Sequence, residues 1–302
     1  MSARILKASL PVTLPLLTDL INFSFRSGVF TESWKLAEVV PCIKDKDGDR
    51  DYLSNSRPIF LLPIISKVCE RAAHLQLVRF LQDHSIIHPL QSGNRKSHST
   101  ETGLLHFSDE ILKNMDEKRI SVVVLLDMTK AFDGIRHDIL LAKLRRIGIS
   151  PSALAWLSSY LSGRKQVVRI GNAISEQLEL RFGVPQGSIL GPVLFTLYVN
   201  ELLSIPNHYQ SMGYVDDTKL LLALPPNHTT DAVSMLKDDL REITKWCCRN
   251  SLLINPDKTN PFCVWSTSTH KDSTAPIRNS PRVRSLSPSP RQRTLQSTST
   301  IA

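Results

Sequence analysis

The sequence predicts an α+β fold in which helices pack on an antiparallel sheet. Stretches with helical periodicity alternate with short β-prone runs as far as Trp265. One run, Ile120 to Asp127 (ISVVVLLD), is apolar almost throughout, as a strand buried on both faces requires. Two hairpin signals follow. KQVVRI and AISEQLELRF flank Gly171-Asn172, and MGYV and TKLLLAL flank Asp216-Asp217.

The elements read in order as follows. TLPLLTDLINFSFRSG sets Leu14, Leu17, Ile21 and Phe25 on one helical face, with Gly28 as the C-cap. LAEVVPCIK is a short strand, and the charged stretch KDKDGDRDYLSNSRP is a loop. Helices are expected from Pro63 to His84, from Ser99 to Arg119, over HDILLAKLRRIG, and over PSALAWLSSYLSG. After the first hairpin come the loop GVPQGS, a helix from Ile189, the second hairpin and an amphipathic helix, TTDAVSMLKDDLREITKWCCRN. SLLINPDKT and PFCVW close the ordered part as short strands. Beyond Trp265, 15 of 37 residues are Ser or Thr, interspersed with Pro and Arg, a composition without a core-forming pattern.

The net charge of the 302-residue chain is +9, and residues 266–302 hold +5 of it. The modestly basic body is compatible with a polyanionic partner without requiring one. Five cysteines with no CxxC spacing exclude a zinc knot or a disulfide framework and suit a reducing compartment. Cys247 and Cys248 read as packing thiols on a helix. No uninterrupted apolar run reaches the roughly 20 residues of a membrane span. The longest, Ile189 to Val199, contains Gly191 and Pro192. No membrane partner is expected.

Three acids carry the candidate chemistry. Asp127 ends the buried strand, where a carboxylate is costly unless it caps a helix or meets a cation. Asp216 and Asp217 sit at a hairpin tip, where a polar turn is the plainer reading. Acids at a strand end and a hairpin tip together match the hard oxygen donors that divalent cations take in two-metal chemistry. Between them, RFGVPQGSILGPVLF makes a glycine-rich strand-to-helix connection that lets backbone approach a flat ligand or a phosphate.

NSRPIFLLPIISKVCE, QSGNRKSHSTET, VVVLLDMTKAFD, GVPQGSILGPVLFTLYVNEL, YVDD and LLINPDKT, in this order, resemble the reverse transcriptase of non-LTR, LINE-like retrotransposons of the jockey or CR1 type. The resemblance implies a right-hand polymerase of fingers and palm, with an antiparallel palm sheet packed by helices. It implies catalytic Asp127, Asp216 and Asp217. Two Mg²⁺ ions, replaceable by Mn²⁺, would be held by Asp127, Asp216 and the Met128 carbonyl. Arg57, Phe132, Gln186 and Lys258 take nucleotide-binding positions: Arg57 on the triphosphate, Phe132 as a gate against a 2′-hydroxyl, Gln186 near the nascent pair, Lys258 near pyrophosphate. Lys44 and Arg95 are further candidates for triphosphate and template.

The implied partners are an RNA template, a DNA primer and dNTPs. The implied domains are a helical extension over 1–45, fingers over 46–118, a palm over 119–265 and a disordered basic tail over 266–302. Phe60, Asn94, Ser97, Arg136 and Glu201 depart from the residues usual in the family. The thumb expected after NPDKT is missing from the pattern, as in a C-terminally truncated element. Two functions follow: an RNA-directed DNA polymerase domain, or a catalytically silent, thumb-less remnant that at most binds RNA. A two-metal nuclease leaves GVPQGS and Phe132 without a role.

Overall fold

A computed structural model of the chain describes residues 3–43, 56–95, 98–129, 131–265 and 282–285. In chain order the elements begin with α1 (Ala3–Ser27), β1 (Leu36–Ile43), β2 (Ser56–Leu61), α2 (Ile64–Asp83) and α3 (Thr100–Asp116). They continue with β3 (Ile120–Leu126), β4 (Met128–Thr129), α4 (His137–Arg146), α5 (Pro151–Leu161), β5 (Arg164–Ile170), β6 (Ala173–Ile174) and β7 (Leu178–Leu180). The last are α6 (Gly191–Val199), β8 (Gln210–Tyr214), β9 (Asp217–Leu224), α7 (Thr229–Arg249), β10 (Leu253–Ile254), β11 (Asn260–Trp265) and β12 (Arg282–Ser285).

The fold is α+β, and the chain divides into two compact units, each assembled from two segments. One comprises residues 1–88 and 130–200, the other 89–129 and 201–302. This division cuts across the continuous spans expected from sequence, because strands distant in the chain share one sheet.

The second unit is built on the sheet β12-β11-β3-β9-β8, in which every neighbouring pair is antiparallel. β3 lies between β11 and β9, and its successive side chains Val122, Val123 and Val124, which point to alternate faces, are at most 2% exposed. Phe107 of α3 packs on Val123, Leu221 and Met212, with Ile111 and Phe262 closing the cluster. Ser99 caps α3 through a reciprocal hydrogen-bond pair with Thr102. At the other end of the unit, the buried Asp239 carboxylate on α7 accepts the backbone N–H groups of Asn207, His208 and Tyr209. Cys247 packs inside, its thiol pushed up to about 12 by burial, whereas Cys248 is exposed and is no packing thiol.

β12 corrects the expectation that residues 266–302 hold no regular structure. Its backbone pairs antiparallel with β11, Cys263 opposite Arg284. β11 otherwise leaves an edge of free N–H and C=O groups, which attracts any extended segment nearby.

The first unit contains a second sheet, β2-β1-β5-β6 with β7 also on β5. β1 and β5 are parallel although far apart in sequence, which periodicity alone does not reveal. α1 begins earlier than expected. On the expected face Ile21 is buried, Leu17 is half-buried and Phe25 packs edge-on against Trp156, whereas Leu14 is 52% exposed. Leu6 and Ser24 are also buried, and the Ser24 hydroxyl accepts the Trp156 indole N–H and donates to the Val29 carbonyl. By length and composition alone, Arg4–Ser27 is long and apolar enough to cross a membrane. Phe30, Trp34, Trp156 and Tyr160 meet edge to face or stacked, and the Arg164 guanidinium lies 4.3 Å from the Tyr160 ring centre.

Glu70 on α2 holds the start of α6. Its fully buried carboxylate accepts from Ser66 Oγ at 2.8 Å, Tyr160 O–H at 3.3 Å and the Ile189 N–H at 2.8 Å. A carboxylate beside free N–H groups at a helix start is favourable, and one with three donors needs no counter-ion. Glu70→Ala strands these donors in the core and is expected to destabilise by about 3 kcal/mol. Glu70→Gln, which keeps an acceptor oxygen, should cost less; urea denaturation of both variants checks the order.

Candidate active site

The acids are placed by strand register. Leu126 of β3 pairs with Thr218 of β9, so Asp127 emerges from the sheet level with the β8–β9 turn. Tyr214 and Asp217 face each other across that turn, leaving Val215 and Asp216 as its two loop residues. Asp216 thus feels the charges of Asp217 and Asp127. Partial desolvation, with these like charges added, raises its pKa above the usual carboxylate range.

Among the described residues no three Asp, Glu, His or Cys side chains gather tightly enough to hold a metal ion. The expected convergence of all three aspartates is therefore not preformed. Adjacent residues at a turn project in different directions, and like charges separate. The donors nevertheless suit a hard divalent cation. The carboxylates of Asp127 and Asp216 and the Met128 carbonyl would offer it oxygen donors.

Asp127 is held by a turn that sequence reasoning credited only with Lys258. β10 pairs with β4, Ile254 opposite Met128, and brings NPDKT against the strand end. The Asn255 backbone N–H donates to the Asp127 carbonyl at 2.8 Å, and the Asn255 side-chain amide donates to Asp127 Oδ2 at 3.0 Å. Asn255 is clamped in turn, its carbonyl accepting from the Thr259 hydroxyl at 2.7 Å. Lys258 Nζ stands 3.9 Å from Asp127 Oδ2, largely solvated. The Asn-Pro pair at the end of a short strand was the available signal: a turn-forming amide next to a candidate site.

Arg57, Phe132 and Gln186 belong to the first unit. Arg57 sits in β2 opposite Cys42. Phe132 and Gln186 are brought together there. The Val184 N–H donates to the Phe132 carbonyl at 3.0 Å and the Gly183 N–H to the Ile135 carbonyl at 2.8 Å. Gly183 has φ +84°, and a Cβ on it would lie 3.0 Å from the Phe132 carbonyl oxygen, so only glycine lets GVPQGS lie so close to AFD. His137 Nε2 meets the Gly183 carbonyl at 2.7 Å. The Gln186 amide donates to Asp133 Oδ1 at 2.9 Å. The Phe132 ring stacks on Phe195 with centres 4.5 Å apart, half-buried rather than sealed in the core. Gln186 and Phe60 line one cleft of about 580 Å³.

Lys44 lies outside the described residues. Arg95 turns to its own loop, donating to the carbonyls of Pro89 at 2.9 Å and Gln91 at 3.2 Å. Asn94 has φ 56°, a conformation asparagine tolerates better than the aromatic usual in the family.

An antiparallel sheet with one acid ending its central strand and another in the adjoining hairpin turn is consistent with a polymerase palm. The chain belongs to the reverse transcriptase (RNA-dependent DNA polymerase) family, whose profile matches residues 43–290. The match runs past Trp265, where the resemblance was expected to stop.

The chain is 34% identical over 279 residues to a probable RNA-directed DNA polymerase from transposon BS of Drosophila melanogaster, covering 89% of this chain and 30% of that protein. It is 32% identical to the corresponding protein of the X-element, covering 82% of this chain and 27% of the other, and 28% identical to that of mobile element jockey, covering 81% and 27%, both also from D. melanogaster. The chain thus spans about a third of the length of these curated relatives. Among solved structures, apo telomerase from Candida tropicalis truncated from its C-terminal domain shares the fold, with TM-score 0.56, 12% identity, and coverage of 82% of this chain and 52% of the other. Reverse transcriptases in general use divalent metals and bind an RNA template and a nucleic-acid primer.

Asn255→Ala removes the amide that fixes Asp127. Mn²⁺ affinity, read by electron paramagnetic resonance titration, is expected to fall about tenfold. The urea midpoint should move little, because Asn255 lies at the rim of the sheet.

Proposed function

We propose that the chain is an RNA-directed DNA polymerase domain that joins dNTPs to a primer 3′-hydroxyl on an RNA template. The observation that carries this reading is the strand register that sets Asp127, at the end of β3, level with Asp216 in the β8–β9 turn. In this reading Asp127, Asp216 and the Met128 carbonyl hold two Mg²⁺ ions, with Asp217 contributing charge beside them. Bound there, the ions would lower the pKa of the primer hydroxyl and stabilise the pyrophosphate leaving group.

The chain's own residues do the rest. Asn255 keeps one Asp127 oxygen oriented. Lys258, 3.9 Å from Asp127, would give a proton to departing pyrophosphate. Within the first unit, Phe132, backed by Phe195, Gln186, steadied by Asp133, and Arg57 on β2 are the residues to which the family resemblance assigns the nucleotide: the wall against a 2′-hydroxyl, the nascent pair and the triphosphate. The sheet unit with α3 serves as the palm and the β1–β2 region as fingers.

Primer extension on an RNA template with Mg²⁺ tests the reading. Asp216→Ala is expected to lower the rate on the order of a thousandfold or more. Equal rates, or none in either protein, would favour the silent remnant. A stability control separates chemistry from misfolding. Because the folded pKa of Asp216 is raised, the stability it contributes is present at acid pH and lost as pH rises through that value. At neutral pH without metal, the urea midpoint of Asp216→Ala should therefore hold or rise.

A further inference from the structure

The β8–β9 turn has a backbone its sequence should resist. Val215 has φ 58°, and Asp216 does not share the positive φ. This is the pattern of a type II′ hairpin turn, whose first loop position belongs to glycine. A β-branched residue there is strained, and such strain persists only where the surroundings over-determine it.

The surroundings are the loop Gln91-Ser92-Gly93. Gln91 is 1% exposed, and its side-chain oxygen accepts the Val215 N–H at 3.1 Å and the Gly93 N–H at 2.9 Å. The loop is also stitched to β8: the Ser92 N–H donates to the Gly213 carbonyl at 2.8 Å and the Gly213 N–H to the Leu90 carbonyl at 2.9 Å. Two glycines permit the approach. A Cβ on Gly93 would lie 2.5 Å from the Val215 nitrogen, and one on Gly213 would lie 2.8 Å from Gln91 Nε2. Arg95 braces the loop from outside through the carbonyls of Pro89 and Gln91. Both glycines and the buried amide thus converge on the one residue that precedes Asp216.

We propose that Gln91 is a positioning residue of the nucleotidyl-transfer site: its buried side-chain oxygen holds Val215 in the left-handed conformation that aims Asp216 beside Asp127. The role assigned to Asp216 rests on the polymerase reading above. Gln91 itself touches neither substrate nor metal. Its effect passes through the backbone of the turn, so it should be felt in metal affinity and turnover more than in nucleotide affinity.

The test compares the full chain with Gln91→Leu, Val215→Gly and the double variant. Gln91→Leu is expected to weaken Mn²⁺ binding, read by paramagnetic resonance titration, about tenfold. It should lower kcat for primer extension with the KM for dNTP near the parental value. Val215→Gly alone should bind Mn²⁺ as the parent does, since glycine adopts the turn unaided. Added to Gln91→Leu, it should restore most of the lost affinity, which lost packing at position 91 could not explain.

Unchanged Mn²⁺ affinity in Gln91→Leu, or no recovery in the double variant, overturns the proposal while leaving the metal site in place. A parent that binds no Mn²⁺ overturns the metal-site reading and this inference with it. If Gln91→Leu alone does not fold, a folded double variant supports the clamp, and an unfolded one overturns it.

Discussion

The register between β3 and β9 is the constraint on which the site depends. Leu126 opposite Thr218 puts the end of the central strand beside the first turn of the next hairpin. Side chains alternate along a strand, so a slip by one residue would turn Val123 out of the α3 cluster and carry Asp127 away from Asp216. The apolar contacts of Phe107, Val123, Leu221 and Met212 therefore fix the register and, through it, the distance between two acids they never touch. Hydrophobic burial supplies the energy, and the carboxylates use the geometry it imposes.

What the sequence revealed follows the same division. β3 was legible because a short unbroken apolar run of β-branched residues fits little but a strand covered on both faces. The hairpins were legible because strong turn residues separate β-prone runs. The family was legible through motif order, and with it the three aspartates as candidates. Their spatial relation was only partly so, since spacing along a chain does not say which of two adjacent carboxylates faces the strand end. The parallel pairing of β1 with β5 and the pairing of β11 with β12 were invisible for a different reason. The first joins segments distant in sequence, the second adds a short strand from a stretch without a core-forming pattern, and both act through backbone groups that leave no signature in side-chain pattern. The face of α1 was legible through Ile21 and Phe25, but its buried Ser24, satisfied by an indole far along the chain, was not.

The residues that sequence reasoning passed over are mostly polar and buried. Glu70, Gln91, Asp239 and Asn255 share a pattern: each side chain accepts from or donates to groups of a distant segment. In a sequence such residues read as ordinary surface positions of a helix or loop. A buried amide or carboxylate is tolerable only when its partners are in place, and those partners become visible only in three dimensions. Each of these contacts also fixes one place where the chain must take a single path: the start of α6, the YVDD turn, the loop before β8, and the end of β3.

These paths share a logic near the acids. Asp216 carries a charge that its neighbours disfavour, and Val215 a backbone its side chain disfavours. Neither is relieved within the hairpin, which consists of a turn and two short strands. For Val215 relief comes from outside, from the buried amide of Gln91; for Asp216 none does, because the strand end adds the like charge of Asp127. A hairpin free to relax would separate its acids and rotate the turn toward an ordinary conformation. Holding it in place makes the empty site slightly unfavourable, and that is the condition under which a divalent cation has the most to gain by binding. The conflict between YVDD and its local preferences is thus expected of a working site and is hard to explain as a mere polar turn, because a polar turn would have no need of Gln91.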